Sequence, residues 1–584
     1  MTTAVPSAPS GAIPSRPQSG TVPPSSRAAL DAALDTLAAR RAAWATLPVL
    51  DRIALLRKLR ESFAEVAEEW THAAMRAEGL SPRDRRSGEE WIVGPYFVLR
   101  NLRLLQTALR NISVTGRPRI PGPVRRLPNG QVAARVVPYD SWDVILYRGV
   151  MAEVWMEPEV TPEGLPETQA VAYRDPDPRG AVALVLSAGN VSSIGPMDAL
   201  HELFVDNQVV VFKVHEVNDY LGPLLERGFR PLIEAGFLRV VYGGPEEGAY
   251  LCEHPAVDAI HITGSDKTYE AIVFGPGEEG ARRKRENRPR LAKPVSAELG
   301  NVSPVVVVPG RWSREEIAYH AENIATMLVN NAGFNCNAVR ALVTWQGWDQ
   351  RDELLAALRE VLRRVPPRHA WYPGAGERYR AFVEAHPEAE RYGGAAGDQL
   401  PWTLIPGVPP GDDSLCFTTE SFCSVFCETP LAAASAAEYL RQAVAFCNDR
   451  LWGSLNVTLL VHPRAQQDAE LAPTIERAVA DLRYGTVAVN HWAAIGYGLV
   501  VTPWGAYPGN TPQEIGSGTG FVHNTLMFSR VQKTVVLAPF TAWPKPPWFI
   551  THQQAYELGR KLTAFEAGPA PWKLPGILRL ALQG

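Results

Sequence analysis

The stretch AVALVLSAGNVSSIGPMDALHELFVDNQVVVFKVHE, residues 181–216, decides the fold through its spacing. An apolar run from Ala181 to Ala188 gives way to a segment with helical spacing, and a second β-branched run follows from Gln208 to Val214. A continuously apolar strand must be covered on both faces, and a strand–helix–strand succession brings the second strand back parallel to the first. Downstream, the helical DYLGPLLERGFRPLIEAG precedes the strand LRVVYGG and then DAIHITGS, Asp258 to Ser265. Four strands alternating with helices predict a parallel sheet wound through right-handed crossovers. Ligands of such sheets sit beyond the strand C-terminal ends, where Asn190, Lys213, Glu216 and Gly264 fall.

A second alternation begins at SPVVVVPG, Ser303 to Gly310, and continues through a helix ending near Asn331 and the strands VRALVTW, LNVTLLVHP and GTVAVNHW. RVQKTVVLAPF, Arg530 to Phe540, reads as one last strand. Upstream, Arg27 to about Gly79 has amphipathic helical spacing, and Gly130 to Pro158 reads as a hairpin or small meander turning at Asp140-Ser141. The chain is thus α/β, with two doubly wound units, and no internal repeat is visible.

Composition bounds the function. The chain has 584 residues, 46% hydrophobic and 21% charged, enough for several cores. Its 58 Lys+Arg and 62 Asp+Glu leave a net charge of -4, which gives no general attraction for nucleic acid, so small-molecule partners are expected. Six cysteines are too few for a disulfide framework and suit a reducing, cytoplasmic location. The Pro/Ser-rich residues 1–27 lack the pattern of a secretory signal and are expected to be a disordered tail. No apolar run is long enough to span a bilayer, so no transmembrane segment is expected.

Several residues carry candidate chemistry. Cys336, in NNAGFNCNAVR, is flanked by Asn335 and Asn337 and preceded by Gly333, a setting poor for inert packing. A helix N-terminus or backbone amides there would lower its pKa and hold an oxyanion. Glu298, in KPVSAELGNVSP, is a candidate general base, and Lys213 with Glu216, in FKVHEVN, could grip ribose hydroxyls. Taken singly, each has a plainer reading as a buried thiol, a loop carboxylate or solvated strand-end charges.

Taken in order, they resemble the aldehyde dehydrogenase superfamily from about Ala28 to Leu537. Asn190 in SAGNVSS, Lys213, the TGS turn at Gly264 and Ser265, Glu298 in ELG, Cys336 in GFNC, and Glu420 and Phe422 in TTESFCSV match the family pattern. NHWAAIGYGLVVTPWGAY and VQKTV echo its late region. The resemblance implies oxidation of an aldehyde to the acid through a Cys336 thiohemiacetal and thioester, with Asn190 holding the oxyanion and Glu298 activating water. It further implies a nicotinamide cofactor on Ser187, Lys213, Glu216, Gly264, Ser265, Glu420 and Phe422. NAD is preferred over NADP because Glu216 can accept from a ribose hydroxyl and would repel a 2′-phosphate.

The implied organisation is a dinucleotide-binding domain at 28–134 and 165–297, oligomerisation strands at 135–164 and 523–540, a catalytic domain at 298–506 and a return segment at 507–522. A homodimer or homotetramer joined by extending a sheet is expected. His491 and Trp492 are expected in the aldehyde pocket. Residues 541–584 form an extension beyond the family's usual end, rich in Trp and Leu, which could cover a neighbouring subunit, cap an apolar substrate channel or touch a membrane surface. From that tail an apolar aldehyde is expected.

Departures from the pattern bear on the cofactor's pose. AGNVS stands where relatives read PWNFP, ELGNV where they read ELGGK, and Tyr269 and Ser424 replace an expected glycine and proline. The basic run Ala281 to Arg290 is expected to be a solvated loop. Cys416, Cys423 and Cys427 fit no zinc spacing, so no metal is expected. Two rival readings are an acyl-CoA reductase of the same fold and a non-catalytic relative kept for assembly or binding.

Overall fold

A computed structural model describes residues 22–81, 84–394 and 396–584, so most of the expected N-terminal tail lies outside the described residues. The first helix, Arg27–Ala45, starts where Ser26 Oγ accepts from Ala29 N at 3.2 Å. It is followed by Val49–Ala77 and Phe97–Thr115, whose apolar stripes pack together and against one face of a six-stranded sheet.

That sheet runs Gly518–Thr519, Val295–Leu299, Ala259–Gly264, Val182–Leu186, Val209–Lys213, Leu238–Val241, all parallel except the short first strand. The four strands read from the sequence are there, and Val295–Leu299 is a fifth. Its alternation is masked by Ser296 and Glu298, so the sequence reads as a strand only up to a point. Chain order reverses beside Val182–Leu186, which puts a crevice outside its C-terminal end. The expected boundary at 297/298 therefore cuts a strand, and Glu298 belongs to the six-stranded sheet.

The second sheet has eleven strands. Pro304–Val307, Ala341–Trp345, Val425–Leu431, Asn456–Leu460 and Thr486–Val489 form its parallel centre. Val305 and Val307 enter one apolar core and Val306 the other, as a pleat covered on both sides requires. Val531–Leu537 pairs parallel with Thr486–Val489 and antiparallel with Met151–Met156, so the three-stranded meander and the parallel sheet are continuous within one chain. The expected domain boundary at 134 also moves, because Val132–Val137 is a single strand of this sheet. The meander's expected turn is a short helix, Ser141–Leu146, capped by Asp140 Oδ1, which accepts from Trp142 N and Asp143 N at 3.0 Å.

Two further expectations change. The first half of the run Ala281 to Arg290 is helical, in Gly277–Arg285, and the rest is loop; Arg282 and Arg283 pair with Glu279 while Lys284 pairs with Glu270, so its charge is spent locally. The C-terminal extension folds into helices Ala555–Ala567 and Leu574–Ala581 against the N-terminal helical layer. Its anchor is Glu566, fully buried, which takes Arg103 Nε at 2.5 Å and Arg100 at 3.2 Å; Asp143 takes the other end of Arg100 at 2.9 Å. Removing one partner of a buried ion network leaves a desolvated charge, so Glu566→Ala is expected to cost about 3 kcal/mol. Limited trypsin digestion should then release the segment beyond Lys561 at least several-fold faster than from the wild type. Unchanged release would show that the apolar contacts alone hold the extension.

Candidate active site

The Cys336 loop is shaped by backbone that few residues tolerate. Asn331, Ala332 and Gly333 have φ of 52°, 53° and 84°, and a Cβ on Gly333 would sit 2.6 Å from Cys423 O. Buried donors hold this turn. Arg340 Nη2 donates to Gly333 O at 2.5 Å and Nη1 to Cys423 O at 2.7 Å, while Asn331 N donates to Glu89 Oε2 at 3.1 Å. Ser303 Oγ and Asn456 Nδ2 donate to Cys336 O at 3.0 and 3.2 Å. The cysteine is thus fixed through its backbone and is half-buried, whereas the other five cysteines are buried.

No helix starts at Cys336, contrary to the expected source of a lowered thiol pKa. Burial, followed by the nearby Glu298 and Glu420 carboxyls, pushes the thiol well above its ordinary value. Glu298 lies within hydrogen-bond reach of it, and burial raises that carboxyl to about 7 although Trp504 Nε1 donates to Glu298 Oε1 at 3.1 Å. The resting pair is a neutral thiol beside a carboxyl poised near neutrality.

Asn190, at the switch-point crevice, donates one amide N–H to Phe334 O at 2.9 Å. Asn331 Nδ2 donates to the Asn190 main-chain carbonyl at 2.7 Å and so holds its backbone, while the bond to Phe334 uses one of the two side-chain N–H groups.

Two cavities meet at Asn190, Ile194 and Cys336. The larger, about 1250 Å³, opens over the strand ends and is lined by Ser187, Lys213, Glu216, Gly264, Ser265, Glu420 and Phe422 together with Glu298. Ser187 Oγ accepts from His215 N at 2.9 Å, Lys213 Nζ donates to Gly243 O at 2.5 Å, and Ser265 Oγ caps the next helix by accepting from Thr268 N at 3.1 Å. Glu420 lies against Gly300, where a Cβ would meet it at 1.9 Å; its Oε1 is buried without a partner, and burial raises the carboxyl to about 8. An orphaned acceptor in a cavity of this size fits a dinucleotide that brings hydroxyl donors.

The second cavity, about 800 Å³, contains His491 and Trp492 and is otherwise mostly apolar. Burial lowers His491 to about 4, so it is neutral there, and its ring lies 5.1 Å from that of Trp548. Sequence reasoning missed Tyr96, Tyr147, Tyr319 and Tyr497 of this wall, because they come from four separate elements whose convergence no local pattern records. It also missed Trp504 as the partner of Glu298. Trp548 and Phe549 bring the C-terminal extension into the wall. Cys416, Cys423 and Cys427 are buried apolar-core residues. Among the described residues the one cluster of metal-compatible spacing is Glu78, Glu89 and Glu90, which Arg368 enters with ion pairs to Glu78 and Glu89.

Residues 133–373, which include Asn190, Lys213, Glu298 and Cys336, match the aldehyde dehydrogenase family. The chain is 32% identical over 167 residues to an N-succinylglutamate 5-semialdehyde dehydrogenase of Novosphingobium aromaticivorans, an alignment covering 28% of this chain and 32% of the relative. It is 41% identical over 73 residues to the peroxisomal aminoaldehyde dehydrogenase 2 of Pisum sativum, covering 12% of each. The alignments thus span about a third or less of the relatives' lengths. Folds agree far more widely. The NADP-dependent glyceraldehyde-3-phosphate dehydrogenase of Bacillus halodurans, complexed with NADP, superposes with a TM-score of 0.58 at 18% identity over 90% of this chain and 95% of that one. The gamma-glutamyl-gamma-aminobutyraldehyde dehydrogenase of Burkholderia cenocepacia does so at 0.58 and 20% identity, over 88% and 89%. Residues 133–373, which carry the thiol, the carboxyl and the switch-point amide, thus resemble the aldehyde dehydrogenase family, on a fold shared with these solved structures along most of the chain.

Proposed function

We propose that the protein oxidises an apolar aldehyde to its carboxylic acid, with NAD preferred over NADP. The observation that carries this reading is the meeting of a dinucleotide-sized cavity and an apolar cavity at one cysteine that lines both, with a carboxyl beside it.

Glu298 takes the Cys336 proton as the substrate arrives, and the sulfur adds to the aldehyde carbon. The carbonyl oxygen becomes an oxyanion facing the free Asn190 N–H and the Cys336 backbone N–H. NAD, when bound, accepts the hydride that leaves this carbon. Glu298 releases the thiol's proton to solvent; water then attacks the Cys336 thioester that remains and gives a proton to Glu298, the C–S bond breaks, the acid departs, and Glu298 returns that proton to the thiolate. Glu216 lines the first cavity, which supports NAD because a carboxylate accepts from a ribose hydroxyl and repels a phosphate. Free cysteines fit a reducing, cytoplasmic setting. Among the described residues no helix is long and apolar enough to cross a membrane.

An acyl-CoA reductase would exchange its thioester with another thiol and has no use for a buried water-activating carboxyl. Initial rates with an aldehyde panel of rising apolar length test the proposal, read as reduced cofactor without added coenzyme A. Turnover with NAD is expected, with kcat/KM rising about tenfold for every two methylenes buried, at about 0.8 kcal/mol each. Turnover only with coenzyme A, or only with short polar aldehydes, would overturn it.

A further inference from the structure

The apolar cavity reaches the surface through an unusual rim. Among the described residues eleven large hydrophobic side chains are exposed, and five of them, Val144, Ile145, Trp543, Leu578 and Leu582, line this one cavity. Trp543 is 72% exposed, and Trp572, 79% exposed, stands in the turn Pro571–Lys573 that leads directly into the helix bearing Leu578. Scattered exposed hydrophobics are ordinary, but a contiguous group around one opening marks a surface that meets something apolar.

We infer that this rim docks on an anionic lipid surface, from which an apolar aldehyde enters the cavity directly. The rim comes from two parts of the chain: helix Ser141–Leu146 with the turn after it, and the C-terminal extension with its short helix Leu574–Ala581. Ile577 and Leu580 of that helix are buried while Leu578 is exposed, so the helix is anchored by one face and offers apolar surface on another. Tryptophan is the side chain that settles at the boundary between headgroups and acyl chains.

Charge selects this occupant over a second copy of the chain. Arg148, at the cavity mouth, and Arg579, on the helix, are exposed and have no ion-pair partner among the described residues. Lys545, also at the mouth, lies 3.6 Å from Glu322. A two-fold contact through the rim would gather both copies' arginines into one interface, where the cavity lining's one carboxylate, Glu89, is already paired with Arg368, whereas anionic headgroups complement them. The opening also solves a supply problem, since an aldehyde apolar enough to fill the cavity resides in a bilayer rather than in water.

This inference rests on the apolar-substrate reading but not on the redox chemistry, so binding is measured without aldehyde or cofactor. The full chain is floated with phosphatidylcholine vesicles and with vesicles containing phosphatidylglycerol. It should partition at least ~10-fold more strongly onto the anionic vesicles and lose that preference in high salt. Trp543→Ser with Leu578→Ser should weaken binding ~10-fold through lost apolar insertion, and Arg148→Glu with Arg579→Glu should remove the preference for anionic lipid. Both pairs are surface changes, and each is checked for a wild-type unfolding midpoint, so that either suffices if the other fails to fold. A wild type that stays unbound, rim variants that bind as the wild type does, or a dimer dissociated by the same substitutions would overturn the inference. Vesicle binding without aldehyde turnover would sink the proposed chemistry and leave the docking intact.

Discussion

Cys336→Ala should abolish aldehyde oxidation, lowering kcat/KM by about 10⁴-fold or more, as removal of a nucleophile does when no neighbour can replace it. The other five cysteines are buried, so no second thiol reaches the aldehyde. The fold should survive the change, because Ser303, Asn456 and Arg340 hold the loop through backbone carbonyls that alanine keeps. Cys336 is only one of the many residues lining the cofactor cavity, and binding of NAD, followed by quenching of tryptophan fluorescence, should persist within about threefold. A variant that binds cofactor and retains more than about 1% of wild-type turnover would show that the sulfur is not the attacking group.

How much of this site could be read in advance depends on the range of the signal. Asn190, Lys213 and Gly264 were legible because strand ends are marked locally, by an apolar run giving way to polar or turn-forming residues. Glu298 was legible as a carboxyl between two apolar runs, but its place inside a strand of the six-stranded sheet was not, since its pairing with Thr263 and Gly518 is set by tertiary register. The same limit hid the union of the meander with the parallel sheet. That union is made by Val531–Leu537, expected to share an element with the meander, pairing on its other side with Thr486–Val489. The C-terminal extension advertised its apolar content, yet its docking depends on Glu566 finding Arg100 and Arg103 among helices more than four hundred residues earlier.

The reading of the thiol was reversed outright. A helix N-terminus or backbone amides are expected from the sequence to lower the thiol's pKa, but no helix starts there and the asparagines serve the turn itself: Asn335 Nδ2 donates to Asn330 Oδ1 at 3.0 Å and Asn331 Nδ2 to Asn335 Oδ1 at 3.1 Å. The sulfur instead faces two carboxyls, Glu298 and Glu420, both raised by burial. Such a thiol is quiescent until a base removes its proton, which protects it from adventitious oxidation. Activation then falls to Glu298, and the protonation state of one carboxyl governs both attack and hydrolysis.

Glu298→Gln should therefore separate the two half-reactions. Glutamine keeps an acceptor for Trp504 Nε1 but cannot take a proton from water, so the thioester should form and then stall, with steady-state turnover down about 10²–10⁴-fold. Rapid mixing with aldehyde and NAD should show reduced cofactor forming more slowly than in the wild type yet approaching one per site before turnover stalls; an unslowed burst would remove Glu298 from thiol deprotonation and leave it only the water step. In the wild type, turnover should rise with pH through an apparent value near 7, since the base is competent only when ionised, and the variant should lack this limb. Stability should move the opposite way. A carboxyl raised from 4.5 to about 7 in the fold is protonated in both states below pH 4.5 and adds no penalty there. Between 4.5 and 7 the unfolded chain ionises first, so the fold loses stability as pH rises, reaching a constant cost of up to about 3 kcal/mol above pH 7. The glutamine variant escapes this cost, and at pH 8 its denaturation midpoint should exceed that of the wild type, while near pH 4.5 the two should converge. A variant less stable than the wild type at pH 8 would mean that Glu298 is held ionised by its surroundings, which would remove the reason for its service as a base poised near neutrality.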